Sequence, residues 1–512
     1  MRKQKVVRIS KMGKAISGMV VFTLLAKVLG FVRELLLSFF FGATGISDAY
    51  LISQTIPGTI FQFVGTGLTT CFIPVYYKVL REHDRKECDT FTNKVLTMVL
   101  SFSTVIMALV WLFTPTVVKL FAAGFTGDTL KMAVTFTRIG ISSLYFSSVI
   151  YVYNSYLQAN NIFSFTAAAA IPNSLTIILS IILGACWNIL ALSIGSTLAT
   201  AIQMAFLWFP VHKLKFRLKL NFHWKDSYLH YFFSLMGPVI LGVSVNEINT
   251  LLDRTIASQV AVGGISALTY ANSLIMLVQG GFAQPVATVF YPRMTKSITE
   301  GNHKTAQADF HAALQILLVF LLPVTVGFMV LSNDITMAFF GRGAFDQNAV
   351  DLTATALSFY AIGIAFVGVR ELLARYYYAY GNTKIPMLNA AVGMFVNITL
   401  NLTLSRIIGI GGLALATSTS AIVTVILMWG QCGKLSADAK IGLDWKEIGK
   451  ILTAALLMGG VVVFMRPYIP MSGLLKLIFL VLVGAVSYSV LVLVLRVKVI
   501  KELLYKIGGK IK

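Results

Sequence analysis

Three ionisable side chains stand where a membrane-crossing helix should have none. In the stretch AKVLGFVRELLLSFFFGATGISDA (26–49), Lys27, Arg33 and Glu34 interrupt an apolar run long enough to cross a bilayer. A charge at that depth costs at least about 2.5 kcal/mol even on the lenient insertion scale, so it faces a water-filled cavity or a partner. Lys27 and Glu34 are seven residues apart and fall on nearly one helical face, whereas Arg33 lies about 100° round from Glu34. Long side chains from these positions can converge on one wall. Cations outnumber acids there, and the simplest occupant is an anion. Asp48 opens the next apolar stretch, where it either caps a helix or belongs to the same site.

Other polar positions lie further along. Glu247, Asp253 and Arg254 share one apolar stretch, with Asp253 and Arg254 near its end as a structural pair or as part of a site. Glu371 and Arg375 are four apart and can pair along a helix, which leaves Arg370 free for another partner. Asn397 and Asn401 stack one turn apart, and Thr417 on the following stretch adds a third side-chain oxygen. These groups either bond between helices or, with backbone carbonyls and Glu247, supply oxygen ligands to a small hard cation.

The elements that must position these residues are transmembrane helices. The 512 residues are 57% hydrophobic and 12% charged, and the mean hydropathy is +0.80. That composition belongs to a polytopic membrane protein and leaves no room for a sizeable soluble domain. Apolar stretches of about 20 residues, each enough to span the hydrocarbon core, recur between short polar breaks. Fourteen are expected, at 17–41, 48–76, 95–118, 132–156, 163–185, 188–210, 231–256, 264–291, 309–331, 352–380, 386–406, 410–431, 448–467 and 472–495. The second contains Pro57 and Pro74 with Gly58, Gly65 and Gly67 between them, and is expected to bend.

A net charge of +22 invites a nucleic-acid reading, but the basic residues crowd into alternate loops. Of 42 Lys and Arg, 30 lie in the termini and the loops on one side, 6 in loops on the other and 6 within spans. This is the positive-inside pattern, so both termini are expected in the cytoplasm and nucleic acid is not a partner. The first span follows a basic segment yet lacks a small-residue cleavage site, so it is expected to be retained. Cys71, Cys88, Cys186 and Cys432 are scattered singly, without metal spacing or a disulfide framework. The segment 81–89 is a solvated charge run. KLKFRLKLNF (213–222) alternates basic and apolar residues across the middle connection. It reads as a topology determinant, with anionic headgroups as the other reading.

The chain repeats internally. Gly45-Ile46-Ser47 recurs as Gly264-Ile265-Ser266, Pro74 as Pro292, Tyr156 to Asn161 as Tyr377 to Asn382, Asn173 as Asn397, and Leu190-Ala191-Leu192 as Leu413-Ala414-Leu415. The offset stays between 218 and 224 over six spans. An even shift preserves orientation, so the halves are parallel repeats, a transporter arrangement. The expected division is a six-helix lobe at 1–211, a second at 212–432, and two further helices with a basic tail at 433–512.

With KVLGFVRE (27–34), FGATGISDAY (41–50) and the IP…FIP frame (56–57 and 72–74), the whole chain resembles the MurJ/MviN family of lipid II flippases, within the multidrug/oligosaccharidyl-lipid/polysaccharide exporter superfamily. The resemblance implies two six-helix lobes around a V-shaped central cavity, and two C-terminal helices that shape a lipid-accessible groove. It implies a transporter, not an enzyme, that moves undecaprenyl-diphosphate-linked peptidoglycan precursor from the inner to the outer leaflet of the bacterial cytoplasmic membrane. Arg33 matches the family's essential first-span arginine, Lys27 stands where many members have Arg, Glu34 where they have Asp, and Asp48 matches the acid that opens the second span. Arg254 and Arg370 complete the expected substrate contacts. Where some members carry an arginine pair in span 2 and a cation in span 8, this chain has Phe61-Gln62 and Ser273. Some members hold sodium. Asn397, Asn401, Thr417 and the Leu413 carbonyl match those positions, with Glu247 or Asn246 completing the set, and Asn401 replaces a carboxylate. No other cofactor is implied.

The residues and the resemblance agree on a diphosphate-bearing amphiphile, a polyprenyl-diphosphate-linked glycan lipid, whose head needs cations while its tail stays among the membrane lipids. Another polyprenyl-diphosphate oligosaccharide is the nearest alternative cargo. A cation-coupled drug exporter would want acids where Lys27 and Arg33 stand. A membrane glycosyltransferase would need an acidic cluster on a water-facing loop, and none is evident. A monomer and contact with the cell-wall synthesis machinery are both compatible with the sequence.

Overall fold

The computed structural model describes residues 2–223, 225–435, 441–471 and 473–500. Side chains are described from residue 19 on, except at 241, 245 and 246. The basic residues of the N-terminal segment, the Asn246 side chain and the basic tail at 501–512, all invoked above, therefore lie outside the described residues.

Every regular element among the described residues is helical, and two compact units divide at Gly263 and Gly264. The first holds α1 (Arg2–Phe41), α2 (Gly45–Glu82), α3 (Arg85–Leu112), α4 (Thr114–Phe121), α5 (Gly127–Gly140), α6 (Ser143–Ala159), α7 (Phe163–Ala168), α8 (Ala170–Cys186), α9 (Ala191–Lys213) and α10 (Ser227–Val260). The second holds α11 (Gly264–Val278), a π-helical turn (Gln279–Ala283), α12 (Gln284–Thr299), α13 (His303–Val330), α14 (Ser332–Phe339), α15 (Gln347–Ile362), α16 (Ile364–Ala379), α17 (Lys384–Ile408), α18 (Ile410–Gln431), α19 (Trp445–Met465) and α20 (Gly473–Val494). Among the described residues, 11 helices are long and apolar enough to cross a membrane, and counting each of two bent pairs as one span gives 13. The remaining expected span, 17–41, is the second part of α1, which runs unbroken through Lys27, Arg33 and Glu34. α2 likewise keeps its helical backbone through Pro57 and Pro74.

Polar loop residues start the helices, because the first N–H groups of a helix need acceptors. Asp84, Asp226, Asn302, Asp346 and Asp444 each accept a backbone N–H at the start of α3, α10, α13, α15 and α19. Burial pushes the Asp226 carboxyl up, but its bonds from Lys94 and from the Leu229 and Tyr228 N–H groups outweigh that and hold it below the usual carboxylate range. The start of α2 corrects an expectation. Its cap is Thr44, whose hydroxyl accepts the Ile46 N–H at 3.3 Å while Ser47 Oγ accepts the Thr44 N–H at 2.9 Å. Asp48 lies in the first turn, 1% exposed, and accepts the Gly263 N–H at 2.8 Å. Gly263 has φ +80°, and a Cβ there would stand 2.0 Å from the Ala43 carbonyl oxygen. Asp48 thus ties the turn between α1 and α2 to the end of α10, which packs along α2.

The fourth span of each half is broken at matching places. α5 and α6 meet at 45°, and α15 and α16 at 44°. A serine from the sixth span of the half bonds a carbonyl in the last turns before each break: Ser193 on α9 bonds Phe136 O at 2.7 Å, and Ser418 on α18 bonds Phe359 O at 2.7 Å. A Cβ at Gly363 would stand 2.8 Å from Ser418 Oγ, whereas one at Gly30 meets nothing within 4 Å. Gly363→Ala is therefore expected to cost about 1–3 kcal/mol by overpacking and to lower the thermal unfolding temperature in detergent, with Gly30→Ala as the near-neutral control.

Candidate functional site

In the first unit the ionisable residues of α1 come together as a pair. Arg33 Nη2 lies 2.9 Å from Glu34 Oε1, with the arginine side chain 36% exposed and the glutamate 9%. Adjacent residues on a helix point about 100° apart, so the pair forms because both side chains are long enough to curl toward each other. Glu34 Oε2 is buried and has no hydrogen-bond partner among the described residues. The guanidinium carries five N–H donors, and one of its nitrogens meets Glu34. Tyr50, on α2, is buried within electrostatic reach of both charges. Its hydroxyl bonds Ser196 Oγ on α9 at 2.9 Å. The contact between Tyr50 and Ser196 carried no signal in the sequence, because the two are separated by 146 positions.

Lys27 is exposed two turns before Glu34 on α1. On α10, Glu247 lies beside Thr59 of α2, with Arg254 two turns along its own helix and Tyr151 also within electrostatic reach. Asp253 accepts a bond from Asn249 at 3.4 Å. Phe61, Gln62 and Ser273 are packed or neutral groups. Phe61 is 4% exposed, with its ring 5.2 Å from that of Tyr151. Gln62 accepts the Tyr151 hydroxyl at 3.5 Å, and Ser273 bonds its own helix at Tyr270 O.

In the second unit, α16 pairs Arg375 with Glu371 at 3.0 Å, as the four-residue spacing predicts. Arg370 beside them is half-buried and forms no ion pair or hydrogen bond among the described residues. Asn397, Asn401, Leu413 and Thr417 are brought together between α17 and α18 by one line of hydrogen bonds. Asn401 Nδ2 donates to Asn397 Oδ1 at 2.7 Å, Asn397 Nδ2 to Thr417 Oγ1 at 3.2 Å, and Thr417 Oγ1 to Leu413 O at 3.1 Å. The polarity is fixed at one end: the threonine gives its single proton to a carbonyl, so it accepts from Asn397, whose oxygen then faces the Asn401 amide. These oxygens are of the kind sodium takes, but three of them already accept protein donors, and α17 and α18 contribute no carboxylate to the group. By themselves these four residues make a hydrogen-bonded contact between α17 and α18, and the carboxylate of the expected set, Glu247, is on α10.

The sequence family described as lipid II flippase MurJ matches residues 37–484. A probable lipid II flippase MurJ of Rickettsia prowazekii is 28% identical over 456 residues, covering 87% of this chain and 89% of the relative. One from Thermotoga maritima is 28% identical over 484 residues, covering 94% and 96%. Among solved structures, a lipid II flippase MurJ in an inward closed conformation superposes with a TM-score of 0.82 at 25% identity, over 95% of this chain and 98% of that one. An inward-facing multidrug transporter of the MATE family shares the fold, with a TM-score of 0.67 at 13% identity over 84% of this chain and 100% of its own.

Proposed function

The chain belongs to the MurJ family of lipid II flippases, and from that premise we propose that Arg33 is the residue that takes the substrate diphosphate. The protein is a multi-pass membrane transporter and not an enzyme, and lipid II is its cargo. The observation that carries the role of Arg33 is its pairing: one nitrogen is 2.9 Å from a buried glutamate while the side chain stays 36% exposed. Glu34 neutralises the arginine when no anion is present, so the empty state does not hold an isolated charge in the membrane. An arriving diphosphate meets a planar fork of donors, which suits phosphate oxygens better than a point charge does. On release, Glu34 takes the guanidinium back. Lys27, Arg254 and Arg370 are proposed as further cationic contacts for the head, with Glu34 and Asp48 as the acids that hold the site in shape.

In this reading the head passes from the inner to the outer leaflet by alternating access of lobes 1–211 and 212–432, and the polyprenyl tail stays in lipid. Purified protein in liposomes, offered labelled polyprenyl-diphosphate lipids with different heads, tests it. Translocation of the peptidoglycan precursor ahead of the others is expected, and failure to move it would overturn the reading. The neutral groups at Phe61, Gln62 and Ser273 favour one second cargo, a different polyprenyl-diphosphate oligosaccharide, and the same assay decides between them.

The orientation follows from the charge bias. Reporter fusions after residue 45 are expected to read outside and after residue 220 inside, with both termini cytoplasmic; the opposite result at either point removes the positive-inside argument.

A further inference from the structure

The connection between α9 and α10 is built as a strap. α9 ends at Lys213, and Lys215 then takes a left-handed backbone at φ 63°. From there the chain runs along the first half of α3, and the amide of Asn93 clamps it at two points. Asn93 Nδ2 donates to Arg217 O at 3.1 Å, and its Oδ1 accepts the Lys219 N–H at 2.9 Å. Thr97 Oγ1 accepts the Asn221 N–H at 2.8 Å, and an ion pair from Lys94 to Asp226 closes the far end. Phe216 is 5% exposed, with its ring centroid 4.9 Å from that of Tyr156. A free linker has no reason to be held this way.

What the strap presents is unusual for a protein surface in water. The clamped backbone groups belong to alternate residues, 217, 219 and 221, and the residues that alternate with them, Leu218, Leu220 and Phe222, are 47%, 60% and 61% exposed. Lys213, Lys215, Arg217 and Lys219 are exposed among them. Residues 213–225 hold five Lys and Arg and no Asp or Glu. The segment also follows an aromatic pair at the end of an apolar helix: Trp208 is 48% exposed and Phe209 61%, and the Trp208 ring stacks on His212 at 4.8 Å. Exposed tryptophan at a helix end marks the level of lipid headgroups, which is where a surface of interleaved cations and apolar side chains is stable.

We propose that this strap binds anionic phospholipid on the face that the charge bias assigns to the cytoplasm. Leu218, Leu220 and Phe222 enter the boundary between headgroups and acyl chains, while Lys213, Lys215, Arg217 and Lys219 take headgroup phosphates. Asn93 and Thr97 hold the backbone extended, so that the apolar side chains point the same way without a helix.

The test uses the full chain in proteoliposomes. Cys186 is the exposed cysteine, and Cys71, Cys88 and Cys432 are buried, so Cys186→Ser with Leu220→Cys gives one reactive thiol for a polarity-sensitive fluorophore. In phosphatidylcholine containing phosphatidylglycerol, the label is expected to shift to the blue, to be quenched by a nitroxide carried in the bilayer and to be shielded from aqueous iodide. Replacing Lys213, Lys215, Arg217 and Lys219 together by glutamine is expected to reduce the preference for phosphatidylglycerol over phosphatidylcholine by at least about tenfold. Iodide access in both lipid mixtures would overturn the proposal, as would an unchanged phosphatidylglycerol preference in the glutamine variant. Shielding that needs an added cell extract would also overturn it, because the occupant would then be a protein. Transport is not the readout, so failure here leaves the flippase reading standing.

Discussion

Arg33→Ala is expected to abolish lipid II transport, and with it the ability to support growth of cells depleted of their own flippase. The substitution removes the donor fork and also strands Glu34, whose side chain is 9% exposed. A buried carboxylate that loses its partner costs about 3–5 kcal/mol, so the single variant can fail by misfolding alone. The double variant Arg33→Ala with Glu34→Gln separates the causes. It is expected to accumulate in the membrane at normal levels and still not transport, because the amide removes the stranded charge without restoring a phosphate ligand. Arg33→Lys keeps the charge and the pairing with Glu34 but loses the planar fork, and is expected to impair transport strongly. Lys27→Arg is expected to be mild. If the double variant supports growth as well as the natural protein does, Arg33 serves only to neutralise Glu34, and the substrate role is lost.

Sodium is expected to leave the thermal stability of the protein no higher than potassium or choline does at equal ionic strength. An ion that binds only the folded state stabilises it in proportion to the logarithm of its concentration over its dissociation constant, so a site would be visible as a sodium-specific rise. The line from Asn401 through Asn397 and Thr417 to the Leu413 carbonyl spends three of the four oxygens, those of Asn397, Thr417 and Leu413, on hydrogen bonds instead. Asn397 and Asn401 are both fully buried. Asn397→Ala breaks the line in the middle and is expected to cost about 1–3 kcal/mol, the usual penalty for leaving buried polar partners unsatisfied, by the same amount in every salt. Asn401→Asp brings in a carboxylate and is expected to make stability respond to sodium. A sodium-specific rise in the natural protein that Asn397→Ala removes would restore the cation site.

The parts of this protein that a one-dimensional pattern encodes were legible. Apolar length located the helices, and the charge at Lys27, Arg33 and Glu34 marked the first unit's polar pair. The four-residue spacing gave the bond between Glu371 and Arg375. Features that depend on a partner far along the chain were not. The helix break after Gly140 falls inside a stretch that is apolar enough on average to cross a membrane as one span, so hydropathy does not show the 45° bend. The π-helical turn at Gln279–Ala283 sits at a Gly280-Gly281 pair that also fits an ordinary helix. At the start of α2 an acid drew attention as a cap, but the cap is a Thr44-Ser47 exchange of side-chain and backbone bonds. Asp48 was freed by it to hold Gly263, which is 215 positions away.

The broken spans set an order on biogenesis. α5 has 14 residues and α6 has 17, and α15 and α16 have 16 each. At 1.5 Å per residue each is about 21–26 Å long, short of the roughly 30 Å of hydrocarbon, so neither member of a pair can be inserted as a span by itself. They must leave the translocon together, before the serine that ties each bend to the sixth helix has been synthesised: Ser193 follows Phe136 by 57 residues, and Ser418 follows Phe359 by 59. Each half therefore lacks this interhelical bond through the synthesis of two further spans, and gains it only when its sixth helix arrives.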